Sequence, residues 1–140
     1  MARILCLDYG NVRLGVAISD PDNILAMARE YINVKKGNVL GKLKSLIAEN
    51  GCEEIVIGLP ISLNGQDTQK TVEVRTFATK LEELLDVKIT LWDERLTSYE
   101  ADRLMEESHV RRDKRKEKRD SLAAQIILQD YLDSLNPSDK

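Results

Sequence analysis

The chain has 140 residues, of which 42% are hydrophobic and 32% are charged, and its formal net charge is −3. These values are typical of a folded globular protein and exclude a disordered chain, and no apolar run is long enough to cross a membrane. We therefore expect one domain over residues 1–140, with no secretion signal and a cytosolic location.

Two cysteines and one histidine leave few nitrogen and sulfur ligands for a metal ion. Cys6 and Cys52 do not form a C-x-x-C pair, so we expect both to be buried, reduced thiols. With His109 as the only histidine, a zinc site has too few ligands. The sequence therefore predicts neither a disulfide nor a zinc centre.

Three strands in succession are predicted in the first part of the chain. Apolar residues indicate strands over Ile4 to Leu7 and Leu14 to Ile18, and β-branched and aromatic residues indicate a third within 24–34. Short connections between them favour antiparallel pairing. Asp8 stands where the first strand meets its turn, and Gly10 lets the backbone turn there. A charge at this position needs a cation, a metal ion or hydrogen bonds around it, and a bond to the backbone of the turn is the simple alternative.

Helices separate the strands predicted in the rest of the chain. In order, the predicted elements are a helix over Asn38 to Asn50, a strand over Ile55 to Ile57, a helix over Thr68 to Leu85, a strand over Lys88 to Trp92, a helix from about Ser98 to Glu107 and a last helix over Ser121 to Leu135. Strands joined in this way require right-handed parallel crossovers. The predicted fold class is therefore α/β, with a mixed five-stranded sheet of three antiparallel strands and then helix-separated parallel strands, flanked by helices.

Acidic residues follow the first and the last predicted strand. In open sheets, ligands bind outside the carboxyl ends of parallel strands, so we expect Asp8 to meet Asp93 or Glu94 at one edge of the sheet. Asp93 and Glu94 point to opposite faces of an extended strand, so only one of them can readily reach Asp8. Periodicity does not choose between them.

A basic segment precedes the last predicted helix. Arg111 to Arg119 contains seven basic and two acidic residues, a local charge of +5 in a chain whose net charge is −3. Such a segment can contact phosphate groups, and a solvated, mobile loop explains it equally well. Asp120 follows directly, and in isolation its simplest role is that of a helix N-cap or of an acid stabilised by the helix dipole.

Four motifs together resemble those of the YqgF family. They are DYGNVRLGVAISD at Asp8 to Asp20, VIGLP at Val56 to Pro60 with Gly65 beyond it, DERLTS at Asp93 to Ser98, and KRKEKRDSLAAQIILQDYLD at Lys114 to Asp133. The family is described both as Holliday junction resolvases and as nucleases of pre-16S ribosomal RNA, with an RNase H-like fold. The resemblance covers nearly the whole chain, and the fold it implies agrees with the predicted order of strands and helices.

The resemblance implies that Asp8, Glu94 and Asp120 form an acidic triad that is both catalytic and metal-binding. Two Mg²⁺ or Mn²⁺ ions about 4 Å apart can activate water and stabilise the phosphate, and carboxylate oxygens suit such ions. Asp8 would bridge the two ions, Glu94 would hold one and Asp120 the other. Arg119 departs from the family, in which an aliphatic residue is expected, and its charge would either weaken metal binding by Asp120 or meet phosphate.

Basic and hydroxyl side chains near the triad are candidates for nucleic-acid contacts. The basic candidates are Arg13, Arg95, Lys114, Arg115, Lys116 and Lys118. Arg13 and Arg95 suit a structural ion pair equally well, whereas the lysine-rich segment would give salt-dependent binding to a nucleic-acid backbone. Thr97 and Ser98 are candidates to bond a carboxylate or the scissile phosphate, although helix capping already explains Thr97.

The functions expected from the resemblance differ in their substrates. The first is a metal-dependent nuclease for structured nucleic acid, above all for the 5′ end of pre-16S rRNA, with ribosomal precursor particles as partners. The alternatives are a Holliday junction resolvase for branched DNA, which argues for a two-fold dimer, and an RNA-binding assembly factor without catalysis. DYGNVRLGVA also resembles the phosphate loop of the actin and sugar-kinase fold, but 140 residues supply only one of its two domains. We expect a monomer or a weak homodimer and no membrane association.

Overall fold

The computed structural model describes residues 2–94 and 112–136, and for 112–120 it describes the backbone alone. The strands are β1 (Arg3–Asp8), β2 (Arg13–Ser19), β3 (Ala26–Asn33), β4 (Cys52–Leu59) and β5 (Lys88–Asp93), and the helices are α1 (Val39–Asn50), α2 (Gln69–Leu84) and α3 (Arg112–Leu135). The helix predicted near residues 98–107 lies outside the described residues. None of the helices in the described ranges is long and apolar enough to cross a membrane.

The five strands form one sheet in the order β3-β2-β1-β4-β5. β2 pairs antiparallel with both β1 and β3, whereas β4 pairs parallel with both β1 and β5. The mixed sheet predicted from the order of elements is therefore confirmed. Because β1, β4 and β5 run in one direction, their carboxyl ends meet at the same edge of the sheet.

Residues along each strand alternate between two cores, one on each face of the sheet. Leu5 and Leu7 pack with apolar residues of α1 and α2, while Cys6 and Val56 pack with apolar residues of α3. Cys6 and Cys52 are both buried and unpaired, as predicted. Helices α1 and α2 thus cover one face, and α3 covers the other.

Helix α3 is fastened to the amino-terminal part of β4 through Glu54. Glu54 Oε2 accepts hydrogen bonds from the hydroxyl groups of Tyr131 at 2.6 Å and Thr90 at 2.7 Å. Burial, together with the hydrogen bond to Glu54, raises the pKa of Tyr131 to about 12. The phenol therefore remains a donor over the whole physiological range, and this end of α3 is held in place.

The start of α3 differs from the prediction. The helix begins at Arg112, nine residues before Ser121, and it includes most of the basic segment. The interpretation of this segment as a loop is therefore wrong. Asp120 lies inside the helix, beyond its first turn, so its predicted roles as an N-cap and as an acid stabilised by the helix dipole are wrong as well. Arginine, lysine and glutamate have high intrinsic helix propensities, so the segment extends the helix without an apolar stripe to mark it.

Candidate active site

Asp8 and Glu94 lie at the carboxyl ends of two strands that flank β4. Asp8 is the last residue of β1, and Glu94 directly follows β5. On the strand between them, Gly58 pairs with Trp92, two residues before Glu94. The sheet therefore brings the two acids to one edge, as the order of elements predicts.

Strand alternation puts Glu94, and not Asp93, on the same face as Asp8. Cys6 and Trp92 both pack into the core beneath α3, and Asp8 and Glu94 each follow two residues later. Asp93 falls on the opposite face. The choice that periodicity left open is thus decided by which face of the sheet α3 covers.

The carboxyl groups of Asp8 and Glu94 share a hydrogen bond. Burial and the negative charge of Asp8 raise the pKa of Glu94 from its ordinary value of 4.5 to about 7, while the ammonium group of Lys70, in the first turn of α2, acts in the opposite direction. Burial and the same two carboxyl groups raise the pKa of Cys6, so its thiol stays protonated. The pair of acids therefore holds a shared proton up to about neutral pH.

Gly58 makes room for this meeting of carboxyl groups. A Cβ atom at position 58 would lie 2.7 Å from Glu94 Oε1 and 2.7 Å from Cδ1 of Ile127 in α3. Both distances are shorter than van der Waals contact, so a side chain here would displace Glu94 or α3. Gly58 belongs to the VIGLP motif, but the resemblance assigns it no role. The signal that could have found it is a glycine inside a buried strand, which indicates close approach of another group.

Gly10 is required by a close approach within the turn that follows Asp8. A Cβ atom there would lie 2.5 Å from the carbonyl oxygen of Arg13. The φ angle of Gly10 is not positive, so the reason is space rather than a left-handed backbone. The sequence correctly placed a glycine-dependent turn beside Asp8.

Asp120 is carried to the same region by its neighbour in α3, the buried Ser121. Ser121 Oγ accepts a hydrogen bond from the backbone N–H of Val16 at 3.2 Å, and Val16 is the strand partner of Leu7. The backbone of Asp120 is therefore held one residue from a contact with β2 that lies level with the end of β1. The side chain of Asp120 lies outside the described part of the structure.

The basic candidates fall on three parts of the chain. Four of them lie in the first two turns of α3, where the backbone alone is described: Lys114, Arg115, Lys116 and Lys118. Arg13 opens β2, and its guanidinium carbon lies 5.3 Å from the centroid of the Tyr31 ring, in a cation–π contact. Arg95, Thr97 and Ser98 lie outside the described residues. The nucleic-acid contacts expected of these side chains stay predictions.

The donor atoms at this edge suit a hard divalent cation. Two adjacent carboxylates repel each other when both are ionised, and either a shared proton or a divalent cation relieves that repulsion. No cluster of three or more histidine, cysteine, aspartate or glutamate side chains occurs among those that the structure describes, a set that does not include the side chain of Asp120. Asp8 and Glu94 therefore fit an oxygen-ligated ion, with Asp120 as the acid expected to complete the site.

Comparison with known proteins gives consistent results over nearly the whole chain. The family model described as "RuvX: Holliday junction resolvase" matches residues 2–134. A relative from Koribacter versatilis is 43% identical over 132 residues, which cover 94% of this chain and 86% of the relative. A relative from Dictyoglomus thermophilum is 39% identical over 133 residues, covering 94% and 96%. Both relatives carry the name "Putative pre-16S rRNA nuclease".

Two solved structures of RuvC from Thermus thermophilus share the fold. RuvC in complex with a Holliday junction substrate matches with a TM-score of 0.57 and 13% identity, covering 94% of each chain. The structure of Thermus thermophilus RuvC matches with a TM-score of 0.54 and 11% identity, covering 96% of each chain. At these identities the similarity shows the RNase H-like fold, which confirms the fold class expected from the sequence.

Substituting Gly58 should separate the two carboxyl groups while the protein stays folded. Both atoms that a methyl group would meet are ends of flexible side chains, so we expect Gly58→Ala to cost about 1–3 kcal/mol and to push Glu94 away from Asp8. The pKa of Glu94, followed by carboxyl NMR, should then fall from about 7 towards 4.5. Gly41→Ala is the matched control, because its methyl group would also meet a side-chain oxygen, that of Asn38, the residue directly before α1. A Glu94 pKa that is unchanged in Gly58→Ala would contradict the assigned contact.

The shared proton should make the metal-free protein more stable in mild acid. Because folding raises the pKa of Glu94, its contribution to the free energy of unfolding is fully present below about pH 4.5 and is lost as the pH rises through about 7. Urea unfolding with a chelator present, at pH 5.5 and pH 8, measures this loss. Glu94→Gln should show a weaker dependence on pH, and equal dependences in the two proteins would rule out a proton held at this pair.

Proposed function

Because this chain belongs to the RuvX (YqgF) family, we propose that it is a divalent-metal-dependent nuclease that hydrolyses phosphodiester bonds in structured nucleic acid. The observation that carries the proposal is the meeting of Asp8 and Glu94 above Gly58, which concentrates negative charge where the parallel strands end. The names of the relatives and the fold shared with RuvC support the same reaction class. In this proposal, residues 1–140 act as one cytoplasmic nuclease domain.

We assign the ligands of two Mg²⁺ or Mn²⁺ ions to Asp8, Glu94 and Asp120. When bound, such ions lower the pKa of the attacking water and stabilise negative charge on the phosphate. Asp8 ends a strand whose four central residues are buried, so its backbone is firmly held and suits a ligand that both ions share. Glu94 must release the proton that it shares with Asp8 before it can act as a ligand, so protons compete with the metal and metal affinity should fall as the pH drops below about 7.

The substrate that the relatives' names support is pre-16S rRNA. Following the family resemblance, we propose that the chain cleaves this RNA at its 5′ end during ribosome biogenesis. The basic segment at the start of α3 would contact the phosphate backbone, and binding would weaken as salt rises. A monomer is sufficient to trim an RNA end, and ribosomal precursor particles would be its natural partners.

Resolution of Holliday junctions is the second candidate. The description of the matching family model favours it, and so does the fold shared with a RuvC–junction complex. Two symmetric cuts across a four-way junction call for two active sites related by a two-fold axis, so this function would require a dimer. The oligomeric state therefore separates the two candidates.

Removing one carboxylate should abolish cleavage. Loss of a group that only supports a metal ligand costs about 10–100-fold in activity or metal affinity, so we expect Asp8→Asn to lose more than about 100-fold with Mg²⁺ or Mn²⁺. Asp93→Asn is the matched control, because Asp93 falls on the opposite face of the sheet, and it should retain activity within about threefold. Equal activity of the wild-type protein and Asp8→Asn would point to a contaminating nuclease and would leave an RNA-binding assembly factor as the function.

Substrate choice can be measured with a 5′-extended 16S rRNA fragment and a four-way DNA junction. We expect the RNA to be cut at its 5′ end by a protein that sediments as a monomer or a weak homodimer. Symmetric cleavage of the junction by a stable dimer, with the RNA left intact, would assign the chain to junction resolution instead.

A further inference from the structure

One stripe of α3 carries polar side chains that bond to the backbone of the neighbouring strands. Ser121, Gln125 and Gln129 follow one another at intervals of four residues and so lie on one side of the helix. Gln125 Nε2 donates to the carbonyl oxygen of Ala26 at 3.2 Å, and Gln129 Oε1 accepts from the N–H of Ala26 at 2.9 Å. The stripe therefore sets how far α3 is shifted along the sheet.

Ser121 makes a different kind of contact from the two glutamines. Its hydroxyl accepts from the N–H of Val16 at 3.2 Å and donates to the carbonyl oxygen of Arg29 at 2.5 Å. Val16 and Arg29 are register partners in β2 and β3, and the register of this ladder shifts between Leu14 and Val16. The hydroxyl therefore joins two backbone groups that face each other across the irregularity.

Burial makes both bonds of Ser121 necessary. The side chain is fully buried, so each polar group at this point must find its partner within the protein. Without the hydroxyl, the N–H of Val16 and the carbonyl of Arg29 would have to close on each other or lose their partners. Either change would let the backbone of α3 move relative to β2 and β3 at this position.

The same contact connects Asp120 to Asp8 through a short path of neighbouring residues. Asp120 precedes Ser121, Ser121 bonds Val16, and Val16 pairs with Leu7, the residue before Asp8. Gln129, by contrast, is anchored eight residues further along α3, about 12 Å along the helix axis. Of the three anchors, Ser121 is therefore the one next to the site.

We propose that Ser121 is a positioning residue, whose hydroxyl sets the height of Asp120 above the end of β1 and so the spacing of the carboxylates that hold the divalent ion. The inference rests on the proposed function, since it takes Asp120 as a ligand. Ser121 touches neither the substrate nor the ion in this arrangement. It acts through the backbone of α3.

The test is Mn²⁺ binding measured by titration calorimetry on the full chain, a readout that does not depend on cleavage. We expect Ser121→Ala to raise the Kd for Mn²⁺ by about tenfold, the lower end of the range for groups that orient metal ligands. Gln129→Ala removes another bond between α3 and β3, so it should lower the melting temperature but leave the Kd within about twofold. Ser121→Thr, which keeps the hydroxyl, should bind Mn²⁺ more tightly than Ser121→Ala.

Several outcomes would overturn the proposal. The first is a folded Ser121→Ala protein with the wild-type Kd. The second is an equal loss of Mn²⁺ affinity in Ser121→Ala and Gln129→Ala, which is expected if both anchors only stabilise the fold. If Ser121→Ala does not fold, Ser121→Cys replaces it, since sulfur forms weaker hydrogen bonds, and the same two outcomes decide.

Asp120→Asn separates this inference from the proposed function. Unchanged Mn²⁺ binding in Asp120→Asn refutes the assigned ligand, whereas a loss in Asp120→Asn alone refutes only the role of Ser121.

Discussion

The contact between the carboxyl groups of Asp8 and Glu94 is the constraint on which the rest of the site depends. Two acids that share a partly buried position cannot both ionise freely, so they hold a proton or a cation between them. The contact exists because β1 and β5 flank β4 and because Gly58 presents no side chain at the crossing point. The register of the well-packed sheet thus holds the two carboxyl groups together although their proximity is destabilising.

The two faces of the sheet make unequal contributions to this arrangement. Helices α1 and α2 bury the face that carries Leu5 and Leu7, and this core supports the strands. Helix α3 covers the face that carries the acids, and its polar contacts with β2, β3 and Glu54 fix its position. The helix that brings the third expected acid is therefore fastened both to the antiparallel and to the parallel half of the sheet.

Much of the fold follows from local sequence patterns, whereas the site depends on neighbours that such patterns do not reveal. Apolar runs and helical spacing predict the strands, α1 and α2, and their order predicts the mixed sheet. Periodicity cannot choose Glu94 over Asp93, because the choice depends on which face α3 covers. The start of α3 is missed because its basic residues favour helix without an apolar stripe, so Asp120 looks like a cap. The space at Gly58 becomes visible only when β5 and α3 are placed beside it.

The most direct test of the account is anomalous diffraction from crystals of this protein soaked in Mn²⁺. We expect anomalous peaks within about 2.3 Å of carboxylate oxygens of both Asp8 and Glu94, a distance typical of oxygen ligands to such ions. Peaks confined to other acidic residues, with the carboxyl groups of Asp8 and Glu94 unchanged and free of metal, would contradict the account.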